Sequence, residues 1–135
     1  AKGTPTLEAI LDALLRPTIA LGRDPARGGG HYARLLGHAA SGTDDRSRRL
    51  TGTHYNAIAR VFITEIAAVV PGLSRQDCVR GYLNAIAIGI SLMAPTGRMF
   101  ELSDGTLHDD DLEEIIAQAV RFIAAGIRAL ASPPG

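Results

Sequence analysis

Aromatic side chains are scarce in this chain. Tyr32, Tyr55, Phe62, Tyr82, Phe100 and Phe122 are all it has, and tryptophan is absent. Strand-favouring residues are thus few, while Ala supplies 21 of 135 residues, so the composition favours helix. Cys78 is the only cysteine, which excludes an internal disulfide or a cysteine-based zinc site and fits a reducing cytoplasm. An excess of either charge is missing too: 14 basic and 14 acidic side chains give zero net charge. A protein that grips nucleic acid without reading its sequence needs a basic excess, so that class is excluded. No apolar run approaches the ~20 residues of a membrane span. The longest, Ala85 to Ala94, is interrupted by Gly89 and Ser91. Ala1 to Pro5 lacks the charged start and apolar core of a signal peptide, so none is expected. Lys2 is the only lysine beside a basic set made of arginine, a usage that points to a GC-rich bacterial genome.

What is present is helical periodicity. The length suits a single domain over residues 1–135, able to bury roughly two thirds of its unfolded surface. Thr4 and Pro5 read as the start of a first helix, with Leu7, Ile10, Leu11, Leu14, Leu15, Thr18 and Leu21 on one face. Pro17 predicts a kink or break within it, and Gly22 to Pro25 ends it. Gly28-Gly29-Gly30 reads as a hinge; a phosphate loop would need a strand before it and a Lys after it. A second helix is expected from His31 to Ala40. A long third one runs from the cap Thr43 to Pro71-Gly72, ~27 residues or about 40 Å, with a weak point at Gly52. Ser74 to Asp77 resembles a capping box and opens a fourth helix, running to about Ala94 and apolar almost all round after Tyr82. Pro95 to His108 is irregular and the segment expected to be most mobile, with Phe100 as a plug for a pocket mouth. A fifth helix starts near Asp109 and carries a wide apolar face from Leu112 to Leu130. Without repeats or strands, the expected class is all-α, an antiparallel bundle of five to six helices.

The constellations that carry chemistry are weak. His31 and His38 are seven apart, and His54 on another helix completes a set for a metal, but neither i,i+4 spacing nor accompanying carboxylates support it. Cys78 near a helix start lacks a recognisable base. Asp109-Asp110-Asp111 fits helix capping better than a calcium loop, whose alternating ligands and glycine are missing. Arg46, Arg48 and Arg49 sit beside Asp44 and Asp45 and read as a locally paired, solvated surface. Asn84 and Ser91 either satisfy neighbouring backbone or anchor a ligand inside an apolar pocket. No catalytic residue, cofactor or metal is expected. The apolar excess on the last helix predicts a homodimer through it and the helix before. Its interface residues are Ile88, Leu92, Ile116, Val120, Ile123, Ala124 and Ile127, with about 2,000 Å² or more buried.

The stretch from Gly28-Gly29-Gly30-His31-Tyr32 through Arg34-Leu35-Leu36-Gly37-His38 resembles a segment of TetR-type transcriptional regulators. Arg121-Phe122-Ile123-Ala124-Ala125-Gly126-Ile127-Arg128 resembles the final helix of the subgroup similar to fatty-acid-responsive repressors. The order of elements between them matches as well, so the resemblance spans nearly the whole chain. It implies an effector-binding and dimerisation domain, with DNA contacted only through an N-terminal helix-turn-helix domain absent from this chain. It also implies an internal cavity. By their positions on inward stripes, Leu11, Leu14, Tyr32, Leu35, Tyr55, Ile58, Phe62, Tyr82, Ile86 and Met93 are its expected lining, with His54 and Asn84 as polar contacts and Phe100 at the mouth. The effector is expected to be small and largely apolar. Rival readings are a metal-binding or enzymatic bundle built on His31, His38 and His54, and a purely structural dimerisation module.

Overall fold

Thr6, two residues later than expected, starts the first helix. Its Oγ1 accepts the Ala9 N–H at 3.1 Å, and the helix α1 covers Leu7–Gly22. The computed structural model describes residues 4–24, 45, 46, 49 and 55–133. The other helices bounded among these are α2 (Asn56–Val69), α3 (Arg75–Ser91), α4 (Arg98–Leu102) and α5 (Leu112–Leu130), and the described residues contain no strand. The all-α class is therefore as expected. The second helix expected from His31 to Ala40 lies outside the described residues.

Pro17 does not break α1. It removes one donor to the Ala13 carbonyl, but Pro17 and Ala13 both lie on the exposed face of the helix. The helix expected from Thr43 is not continuous. Tyr55, at φ −121° and ψ −27°, stands outside helical geometry and α2 begins after it; Gly52 lies outside the described residues. Ser74 caps α3 as expected, its Oγ accepting the Asp77 N–H at 3.0 Å. The α3 helix ends at Ser91 rather than Ala94, and it is not buried on all sides. Cys78, Gly81, Tyr82, Ala85 and Gly89 face inward, whereas Leu83, Asn84 and Ala87 are exposed. Asp111 rather than Asp109 caps α5, its carboxylate accepting the Glu114 N–H at 3.2 Å. Glu113 and Glu114 complement the positive helix start.

The helices α1 and α3 form the centre, packed on each other, with α5 and α2 each contacting both. Glu8 near the start of α1 pairs with Arg128 near the end of α5, and Arg16 further along α1 pairs with Glu113 at the start of α5. These pairs set α1 and α5 antiparallel. Leu7, Leu11, Leu15 and Ile19 of α1, Ile66 of α2, Ala85 of α3 and Ile116, Ala119 and Ala124 of α5 are sealed from solvent. Burying each large aliphatic among them stabilises the fold by about 1.5–3 kcal/mol. Gly22 lets the end of α1 lie directly on Met93, where a Cβ would stand 2.5 Å from the Met93 Cβ. Beyond α5, the Ser132 N–H donates to the Gly72 carbonyl at 3.0 Å and ties the chain end to the α2–α3 turn. No described helix is long and apolar enough to cross a membrane.

Candidate functional site

Two residues of the expected cavity lining, Leu11 and Met93, have no accessible surface at all, so neither borders a void that admits water. Leu11, Leu14 and Tyr82 share one packed cluster, with Phe62 and Ile86 half-buried against it. The other expected contacts do not join them. Ile58 is 54% exposed, and Tyr55, Asn84 and Phe100 also face solvent. On α2 the buried residue is Ile66, and Tyr55 and Ile58 lie two or three turns before it, at the start of the helix. Tyr32, Leu35 and His54 lie outside the described residues, as do His31 and His38. Among the described residues no three His, Cys, Asp or Glu side chains converge to hold a metal ion. Cys78 is buried and burial pushes its thiol upward from the usual range, so the helix start does not make it a thiolate. Burial likewise pushes the Tyr82 hydroxyl up. Ser91 is exposed and its hydroxyl donates to the Ile88 carbonyl at 2.8 Å, the backbone-satisfying alternative.

The concave site that does carry polar groups lies at the far end of α1. It is an open cleft of about 570 Å³. Arg23, Ser91, Leu92 and Ala94 line it from the ends of α1 and α3; Thr96, Arg98, Met99, Leu102, Ser103 and Leu107 line it from α4 and its flanks. At its base the Arg23 side chain is only 11% exposed. Its Nε donates to the Leu92 carbonyl at 2.6 Å, its Nη1 to the Asp109 carbonyl at 2.9 Å, and its Nη2 meets the Asp109 carboxylate at 3.3 Å. One guanidinium thus clamps the C-terminal cap of α3 and the approach to α5 onto the end of α1. The sequence reading treated Arg23 as part of a helix stop and missed this role, because both its partners are more than sixty residues away. A second groove, about 650 Å³ and also open, runs between Ala9 and Ala117 with Val120 at its floor. The Glu8 and Asp12 carboxylates on its rim are committed to Arg128 and Arg16.

The expected dimer residues of α5 are corrected by their burial. Ile116, Val120, Ile123, Ala124 and Ile127 are all buried in the chain's own core, because α5 packs on both α1 and α3. On α3, Ile88 and Leu92 are half-buried against that core. What α5 leaves outside is Phe122, 64% exposed, with Ala125, Gly126 and Ala129 around it. Gly81 of α3 lies against Ile127. At about 100° per residue, Gly126 on α5 and Asn84 and Ala87 on α3 flank this contact, while Phe122 and Ala129 lie about 140–160° round α5 from Ile127 and point outward. A Cβ on Gly126 would meet nothing within 4 Å. Mid-helix glycine costs about 0.5–1 kcal/mol relative to Ala, and no contact within the described chain requires it.

A family profile described as "Tetracyclin repressor-like, C-terminal domain" matches residues 12–126 of the chain. No curated protein matches it.

Proposed function

Because the chain belongs to the tetracyclin repressor-like C-terminal domain family, we propose that it is the effector-binding and dimerisation domain of a TetR-like transcriptional regulator. The chemistry is binding without turnover. An effector that fits only one arrangement of the paired domains biases the regulator between its DNA-competent and DNA-free states. In this reading DNA is contacted only through an N-terminal helix-turn-helix domain outside these 135 residues. The protein acts as a bacterial, cytoplasmic repressor of the subgroup similar to fatty-acid-responsive repressors, and its effector is small and largely apolar.

The observation that carries the pairing is the outward side of α5. Phe122 is a large exposed aromatic with the small residues Ala125, Gly126 and Ala129 exposed on the same side, and Gly126 has open space above it. Small residues around one aromatic let a second helix pair approach closely, and the two-fold arrangement repeats the contact on the partner. This moves the interface from the inward positions of α5 to its outward ones. Light scattering at micromolar concentration is expected to give twice the chain mass for the native protein. Phe122→Glu is expected to give a folded single chain with unchanged helical circular dichroism. A native protein that is monomeric throughout would refute the pairing.

A further inference from the structure

We propose that the cleft beneath α4 binds a small apolar anion and that residues 97–107 close over it as a lid. The proposal rests on the reading above that the domain takes an effector, and it names the place and chemistry of that effector.

The volume, about 570 Å³, lies within the roughly 300–1,000 Å³ of small-molecule sites. Leu92 and Ala94 form an apolar wall on the body, and Met99, Leu102 and Leu107 face it from the segment above. Those three are largely uncovered, Leu102 at 72% exposure. The lining hydroxyls are committed locally. Ser91 donates to the Ile88 carbonyl, Thr96 accepts the Arg98 N–H, and Ser103 donates to the Phe100 carbonyl while accepting the Leu107 N–H. An occupant therefore meets aliphatic and thioether surface more than free hydrogen-bonding groups.

Charge selects the sign. Three charged side chains line the cleft, Arg23, Arg98 and Asp109. Asp109 neutralises Arg23. Among the described residues Arg98 has Glu101 as its ion partner, at 3.7 Å, beyond hydrogen-bonding distance, both side chains being exposed and Glu101 lying outside the lining. One cation is left to face the occupant, which complements a single carboxylate or similar group.

The lid follows from where the segment's bonds go. Glu101, Ser103, Asp104, Gly105, Thr106 and Leu107 each donate a backbone N–H to a partner within residues 97–103. The Phe100 ring lies 5.0 Å from that of His108 and against Gly105. The segment is thus bonded to itself, and α4 makes no extensive packing with another described helix. It is rooted at both ends by Arg23, which holds Leu92 before it and Asp109 after it. Between the Leu92 root and α4 lies a left-handed backbone position at Gly97, φ 75°, while those at Asp104 and Gly105, φ 54° and 78°, shape the turn inside the flap. A rigid apolar flap on the Gly97 pivot can swing onto an occupant and bury Met99, Leu102 and Leu107 with it.

The test uses the full 135-residue chain, with 2-naphthoate and its uncharged counterpart 2-naphthylmethanol as probes in calorimetric titration. Methyl NMR of Met and Leu reports the site. Naphthoate is expected to bind about tenfold more tightly, shifting Met99, Leu102 and Leu107 rather than Leu11 and Met93. Arg98→Gln is expected to erase the difference and Arg98→Lys to keep most of it. Gly97→Ala meets no neighbouring atom, but the left-handed φ of 75° strains an alanine there, so the substitution displaces the pivot and is expected to weaken both probes alike. Equal affinity for the two probes, absence of binding by either, indifference to Arg98→Gln, or shifts confined to the core would overturn the site. Unchanged affinities in Gly97→Ala would overturn the lid. Phe122→Glu is expected to retain naphthoate binding, so loss of pairing and loss of the site are read separately. Naphthoate that binds as expected but leaves the dimer dissociation constant unaltered would leave the site standing and remove its effector role.

Discussion

Glu8 shows how little of a residue's behaviour is written in its immediate neighbours. It is the fourth residue before Asp12 on α1, yet its partner is Arg128, 120 positions away, whose two guanidinium nitrogens donate to it at 2.5 and 2.8 Å. The hydrogen bonds from Arg128 hold the Glu8 carboxyl down at about 2, from an ordinary 4.5. Hydrogen bonding to Arg16 likewise holds Asp12 below its usual range. A depressed carboxyl contributes stability that is complete above its unfolded value and is lost as the pH falls toward the folded one. The Glu8–Arg128 contribution is thus present at neutral pH and disappears between about 4.5 and 2. Both side chains are about half exposed, so screening keeps it to at most ~1 kcal/mol. Glu8→Gln is expected to lower stability by that amount at pH 7 and to have no effect near pH 2, read from urea unfolding across pH. An equal loss at both ends of the range would show that the residue acts through packing instead.

At the scale of the element, two glycines of helical segments are opposite in kind. Gly22 ends α1 against backbone: a Cβ there would stand 2.7 Å from the Met93 carbonyl oxygen, and backbone cannot step aside as a flexible side chain can. Gly22→Ala is expected to destabilise the chain by about 1–3 kcal/mol, the usual cost of overpacking. Gly126 sits mid-helix in α5 with nothing near. Gly126→Ala is expected to stabilise the isolated chain by about 0.5–1 kcal/mol through helix propensity alone, while Gly126→Leu is expected to weaken pairing. Chemical denaturation of both variants in the Phe122→Glu background separates the two effects. Helix starts were the most legible feature: Ser74 caps α3 as its motif implies, because capping is local. Thr4 and Asp109 were placed two residues early, because each segment offers more than one cap and packing chooses among them. The break that Pro17 allowed does not occur, because a missing donor costs less on the exposed face of a helix than in its core.

For the whole molecule, pairing and folding are linked. If the outward side of α5 is covered in a dimer, the folded state binds its own copy and the unfolded state does not. The melting temperature is then expected to rise with protein concentration over a range of about a hundredfold, and Phe122→Glu is expected to abolish that rise. A melting temperature independent of concentration in the native protein would count against an obligate pair. Addition of 2-naphthoate raises the melting temperature of any native form that binds it, and it changes the dimer dissociation constant only if the lid cleft is coupled to the paired state.

Periodicity and composition alone determined the helical class, the capped start of α3, the apolar face of α5 and the family resemblance, because each depends on residues within a few turns of one another. Which side of that apolar face turns inward was decided by tertiary structure. The α5 helix is contacted by both α1 and α3, so Ile116, Val120, Ile123, Ala124 and Ile127 are used within the chain and Phe122 is left outside. The same holds for the cleft. Arg23, Leu92 and Asp109 are brought together only when the ends of α1 and α3 meet the approach to α5, and a clamp across sixty-nine and eighty-six residues leaves no trace in local spacing.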